Sequence, residues 1–193
     1  MVRDVPHYRC AKEIEQCISA ISAAEFVAID FEYSGLFDKD TPKGVARRQS
    51  AYFRDVLRSV PQFSVLQVGI CVAQRPCPRT QAWNWQLQPY SFYVLPSGRA
   101  LFLGDTECLK FLRRHNFDFN AWLETRATYD DLMPVIDAIV QARVPLIMHH
   151  AILDCCHLLD KLVRSATKPP AEWLEFLSAW NAKFEHVDLF DTR

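Results

Sequence analysis

Asp30 and Glu32 stand two residues apart at the end of an apolar run, Phe26–Glu32, which reads F-V-A-I-D-F-E. In an extended strand, residues i and i+2 project from the same face, so this spacing aims both carboxylates at one place. Two like charges held together at the end of a buried strand repel, and each resists desolvation. A divalent cation bound between them relieves both penalties. The competing reading is an ordinary strand end with two solvated acids. Further on, a short apolar stretch runs into His149 and His150 and gives way to a helical pattern with Asp154 near its start. The two histidines at this junction are expected to be hydrogen-bonded structural groups rather than metal ligands or bases.

A second chemistry is suggested by Lys43, Arg47, Arg48, Tyr52, Phe53, Arg54 and Arg58. Cations interleaved with aromatics can track a phosphodiester backbone and stack on bases. This stretch is therefore a candidate RNA-binding surface. The alternative is a solvated excursion with Tyr52 and Phe53 packed inward.

The elements that must position these residues follow from hydrophobic periodicity. Met1–Cys10 reads as an arm and Ala11–Ala24 as a helix. Phe26–Glu32 is the first strand, ended by Ser34 and Gly35. Phe63–Ala73 is the second, with Gly69 marking a bulge or a close backbone approach. Tyr90–Leu95 is the third, after a Pro- and Trp-rich excursion over Gln74–Gln88. Asp105 caps a helix starting at Thr106. Leu132–Val140 has helical spacing, with Pro134 placed in a first turn. Pro145–Met148 is a short strand, Ala151–Val163 a helix, Trp173–Trp180 another helix, and His186–Asp191 the start of a last strand. The order predicts an α/β fold with a mixed sheet flanked by helices. Residues 1–25 form an N-terminal arm and helix, and residues 26–193 a single domain.

Composition narrows the function classes. The chain has 193 residues, 50% of them hydrophobic, enough for one domain with a sizeable core. Its 22 Lys and Arg against 23 Asp and Glu leave a formal net charge of -1, without the global basic field of a duplex-DNA protein. Seven cysteines, an odd number with Cys155 and Cys156 adjacent, fit neither a disulfide framework nor a zinc site. They predict reduced thiols in an intracellular protein. No stretch has transmembrane length, and the first residues do not read as a signal peptide.

Five segments in consistent order resemble the poly(A)-specific ribonuclease and CAF1-type deadenylase family, within the DEDD class of 3′-to-5′ exoribonucleases. F-V-A-I-D-F-E-Y-S-G-L at Phe26–Leu36 resembles the first exonuclease motif. F-S-V-L-Q-V-G-I at Phe63–Ile70 resembles the second strand. Phe111-Leu112 with N-F-D-F-N at Asn116–Asn120 resembles a segment of the nuclear and poly(A)-specific branches. L-I-M-H-H-A-I-L-D at Leu146–Asp154 resembles the second exonuclease motif, with His150 where the family usually carries Asn. Phe190–Arg193 resembles a later D-T-K-like strand.

The resemblance implies a ribonuclease H-like fold and a two-metal site. Asp30, Glu32 and Asp154 would be catalytic and metal-binding, with two Mg2+ expected and Mn2+ accepted. The family's fourth acid and general-base histidine match nothing in this sequence; Asp191 corresponds to the strand's own Asp. A truncated exonuclease domain, ending after a late strand and slower than a complete one, is therefore expected. The implied substrate is single-stranded RNA, with poly(A) deadenylation or 3′-end trimming as the activity. The implied company is a homodimer or a deadenylase or RNA-processing complex, in the nucleus or cytoplasm and away from membranes. The alternative function is a non-catalytic RNA-binding or scaffold protein on a degenerate nuclease fold.

Overall fold

Strand β1, Phe26–Tyr33, alternates between a buried and an open side. Val27, Ile29 and Phe31 are at most 5% exposed, whereas Asp30 is exposed and Ala28 and Glu32 are half-buried. A computed structural model describes residues 5–36, 49–75, 85–97, 101–163, 170 and 172–192, with side chains of the first helix from Cys10 and of the second from Ala51. β1 is the middle strand of a five-stranded mixed sheet of order β3-β2-β1-β4-β5. β2 (Val65–Gln74) runs antiparallel to β1, and β3 (Gln86–Tyr93) antiparallel to β2. β4 (Leu146–Met148) runs parallel to β1, and β5 (Leu189–Asp191) parallel to β4.

The helices are α1 (Val5–Ile21), α2 (Gln49–Ser59), α3 (Thr106–Arg114), α4 (Phe119–Glu124), α5 (Tyr129–Ala142), α6 (Ala151–His157) and α7 (Trp173–Phe184). One continuous core joins the buried side of the sheet to Ile14, Cys17 and Ile21 of α1, Val135, Ile136 and Ile139 of α5, and Phe176 and Trp180 of α7. The expected mixed sheet flanked by helices is the architecture observed.

Several boundaries differ from the sequence reading. The first helix begins at Val5 rather than Ala11. β3 starts at Gln86 and carries Pro89, which an edge strand accepts because no ladder N–H is needed on its free side. α5 starts at Tyr129, with Thr128 and Asp131 forming a capping box, so Pro134 lies in the second turn and removes one N–H from the helix ladder. α6 is regular only to His157 and then widens into a π-turn, Leu158–Leu162. Gly69 marks no bulge: it pairs with Asp30 and with Ser91. The register slip falls instead between Glu32 and Tyr33.

Candidate active site

The end of β1 is locked by the two residues that follow it. Ser34 is fully buried; its hydroxyl donates to the Leu103 carbonyl at 2.6 Å and accepts from the Ser64 N–H at 2.9 Å. At Gly35 a Cβ would come within 2.3 Å of the Phe63 ring. Any side chain there would drive the strand end away from a 5%-exposed core aromatic. The Ser-Gly of the first motif therefore fixes where β1 stops, and with it the placement of Asp30 and Glu32.

Those two acids share the open side of the sheet, opposite Gly69 and Gln67 of β2. A Cβ at Gly69 would make only ordinary contact with Asp30, at 3.7 Å from its carbonyl oxygen, so this glycine leaves room beside the acid without being sterically required. Burial raises the Asp30 pKa, opposed by the Phe31 N–H and by His149. Burial also raises that of Glu32, with repulsion from Asp30 adding and His115 opposing.

Asp154 enters from α6, only 6% exposed. Its Oδ1 accepts a hydrogen bond from the Tyr33 hydroxyl. Burial lifts its pKa to about 7; the Tyr33 bond lowers it, and Asp30, Glu32 and Asp191 raise it further by repulsion. The three expected acids thus lie within one another's electrostatic range. Among the described residues, however, no three His, Cys, Asp or Glu side chains are drawn close enough to hold a metal ion. The donors suit a hard divalent cation in type, being carboxylate oxygens whose mutual repulsion a cation relieves.

The turn carrying α6 is tied to β5. His150 takes the left-handed region, φ 54°, where Asn and His are among the few non-glycine residues enriched. Its N–H donates to Asp191 Oδ1 at 3.1 Å. His149 Nδ1 lies 3.0 Å from Thr192 Oγ1, and the Thr192 N–H donates to the Met148 carbonyl at 3.0 Å. His149 engages through its ring and His150 through its backbone N–H alone, and the Asp-Thr of β5 anchors the segment that presents Asp154.

Beneath the site His157 is 1% exposed, with Nδ1 lacking any hydrogen-bond partner. Burial, with Lys161 adding, depresses its pKa from 6.5 to about 3. A histidine with a pKa lower when folded takes up its proton on unfolding. The stability it supports is present above pH 6.5 and is lost as pH falls toward 3, at up to about 1.4 kcal/mol per pH unit. Asp154 has the opposite sign: its contribution is full below the ordinary 3.8 and is lost as pH rises through about 7. His157→Phe keeps a ring at this position and removes the titrating group. Chemical denaturation between pH 7 and pH 4 should show the variant gaining on the parent as pH falls; parallel curves would show that His157 protonates freely in the folded state.

The candidate RNA-binding stretch is divided by the structure. Lys43, Arg47 and Arg48 lie outside the described residues. Arg54 and Arg58 are exposed on α2, which packs against α6, and Tyr52 is half-buried. Phe53 is not available to a base: it is 5% exposed, with its ring edge-on to Trp173 at 4.7 Å and Phe176 at 5.5 Å. Helical periodicity turns it inward, as the competing reading of that stretch had it. Tyr33, Asp191 and His157 were not singled out as site residues from sequence. For Tyr33 the signal was an inward position in the strand alternation, which obliges its hydroxyl to find a buried partner.

The sequence profile of the CAF1 family ribonucleases matches residues 5–131, a span that includes Asp30 and Glu32 and stops before Asp154. Poly(A)-specific ribonuclease PARN of Arabidopsis thaliana is 30% identical over 119 residues, 58% of this chain and 17% of that protein. The chain thus spans about a sixth of the length of that curated relative. Among solved structures, S. pombe Pop2p in its Mg2+- and Mn2+-bound form superposes with a TM-score of 0.69 at 18% identity, covering 98% of this chain and 72% of that one. The structure of the yeast NOT1 MIF4G domain co-crystallized with CAF1 gives a TM-score of 0.60 at 16% identity, covering 99% of this chain and 68% of the other. With more than half of its residues matched by the profile, the chain belongs to the CAF1 family of ribonucleases.

Proposed function

We propose that this protein is a divalent-metal-dependent 3′-to-5′ exoribonuclease that shortens single-stranded RNA, with poly(A) tails as its substrate. The observation that carries this reading is the pair Asp30 and Glu32, side by side on the open side of the central strand and inside the span that matches the family. Asp30, Glu32 and Asp154 are the residues that would hold magnesium or manganese. Such ions, when bound, activate a water and stabilise the leaving 3′-oxygen. The chain's own contribution would be to hold three carboxylates near the end of the central strand and to keep Asp154 shielded from water. The metal-bound Pop2p structure and the poly(A) specificity in the PARN name support the choice of cofactor and substrate. The yeast CAF1 structure with NOT1 supports a deadenylase-complex protein as a partner.

A second reading, an RNA-binding protein without turnover, is favoured by one observation. Tyr33 engages Asp154, and the described acids do not close into a metal cage. A time course with oligoadenylate labelled at the 5′ end, and in parallel at the 3′ end, separates the two. The exonuclease reading expects a 5′-labelled ladder descending one nucleotide at a time with early release of the 3′ label, all dependent on magnesium. RNA that binds and stays intact would establish the second reading, and internal fragments would exclude both.

A further inference from the structure

We propose that Tyr33 is the positioning residue for Asp154. The inference rests on the reading of Asp154 as a metal ligand and adds to it a residue that the acids alone do not identify. Tyr33 and Asp154 are each 6% exposed, and the phenol hydroxyl donates to Asp154 Oδ1. The ring is itself held. It lies over the His157 imidazole with centroids 4.4 Å apart and planes at 33°, and His157 sits on α6 three residues beyond Asp154. The Tyr33 carbonyl accepts from the Cys108 thiol at 3.5 Å, which ties the same residue to α3.

β1 therefore carries two acids on its open side and, one residue later, the donor that fixes the third. The alternation of the strand sends these neighbouring residues to opposite sides, Glu32 to the open one and Tyr33 to the buried one. A carboxylate on a helix has rotamer freedom that a rigid buried donor removes, and a hydrogen bond to an ionised acceptor is among the stronger kinds. With Oδ1 held by the phenol, the remaining oxygen is the one left to meet a cation. Directly after His157 the helix widens into the π-turn Leu158–Leu162, a form that recurs at functional sites.

Calorimetric titration of the metal-free protein with manganese tests this, comparing the parent with Tyr33→Phe, Asp154→Asn and the double variant. Tyr33→Phe retains the ring against His157 and should preserve the circular dichroism and a cooperative melting transition, at a lowered midpoint because the buried carboxylate loses its donor. Its manganese affinity should fall about 10- to 100-fold, the usual effect of removing a partner that orients a ligating group. Asp154→Asn should lose at least as much, and adding Tyr33→Phe to it should cost nothing further, because the two act as a unit. A residue that merely packs would not give that non-additivity. An unchanged affinity in Tyr33→Phe beside a weakened Asp154→Asn would overturn the positioning role and leave the metal reading standing. An unchanged affinity in Asp154→Asn would overturn both. Should Tyr33→Phe fail to fold, the parent supplies the measurement. Manganese binding should perturb tyrosine ultraviolet absorbance, and that perturbation should vanish in Asp154→Asn. A titration that binds manganese with no tyrosine signal would overturn the proposal.

Discussion

Asp30→Asn is expected to remain folded and to lose at least about a thousandfold of its magnesium-dependent shortening of an RNA 3′ end. That factor corresponds to roughly 4 kcal/mol of transition-state stabilisation, the scale on which bound cations act at developing phosphoryl charge. The fold should tolerate the change because Asp30 is exposed on the open side of β1. The side chain also makes no contribution to the core that the helices cover. Removing its charge relieves repulsion on Glu32 and on Asp154, so thermal stability should stay level or rise slightly. Single-turnover rates, a melting curve and a manganese titration on the same preparation check the three parts together. A rate within tenfold of the parent, with metal affinity unchanged, would show that Asp30 is not a ligand and that the strand-end acids are solvated.

The second large effect is on stability. Leu146 is fully buried in β4, a strand of only three residues. It pairs with Val27 of β1 on one side and Leu189 of β5 on the other. Its N–H donates to the Asp188 carbonyl at 2.8 Å. Leu146→Ala should destabilise the protein by about 2–5 kcal/mol, through lost apolar burial and a cavity that so short a strand cannot collapse to fill. In urea the transition midpoint should fall with the slope unchanged. A loss below about 1 kcal/mol would mean that β4 is free to shift. Because β4 runs straight into His149 and α6, such a shift would also appear as weakened metal binding through Asp154.

The contrast between these residues shows which parts of the protein are local and which are not. The pairing of Asp30 with Glu32 on one side of a strand is a consequence of the two-residue period alone, and it was legible without coordinates. So were the Asp105 cap, whose side chain accepts from the Glu107 N–H, and the helical stripe of α5. So too was the mixed α/β character, because each follows from short-range spacing and backbone chemistry. The resemblance of the five ordered segments pointed to the family to which the chain belongs. Phe53 reads from sequence as an RNA-binding candidate with inward packing as the alternative, since an aromatic beside arginines serves a core and a base equally well until its neighbours are known. Trp173 and Phe176, more than a hundred positions away, settle it.

Contacts between residues distant in sequence come from packing alone. Nothing near Tyr33 indicates that its hydroxyl meets Asp154, 121 positions later. Nothing near His150 indicates that Asp191 receives its N–H. The need for glycine at position 35 likewise comes from the Phe63 ring. Local spacing by itself determined where two acids stand and which elements carry them. The closing of the sheet around β1 decided what surrounds those acids: a buried phenol on the third carboxylate, an anchoring aspartate behind the turn, and below them a buried histidine stacked on that phenol ring. The reason is physical: strand and helix periods act over a few residues, whereas burial, and the charge shifts it produces, depend on which faces meet once the whole chain has packed.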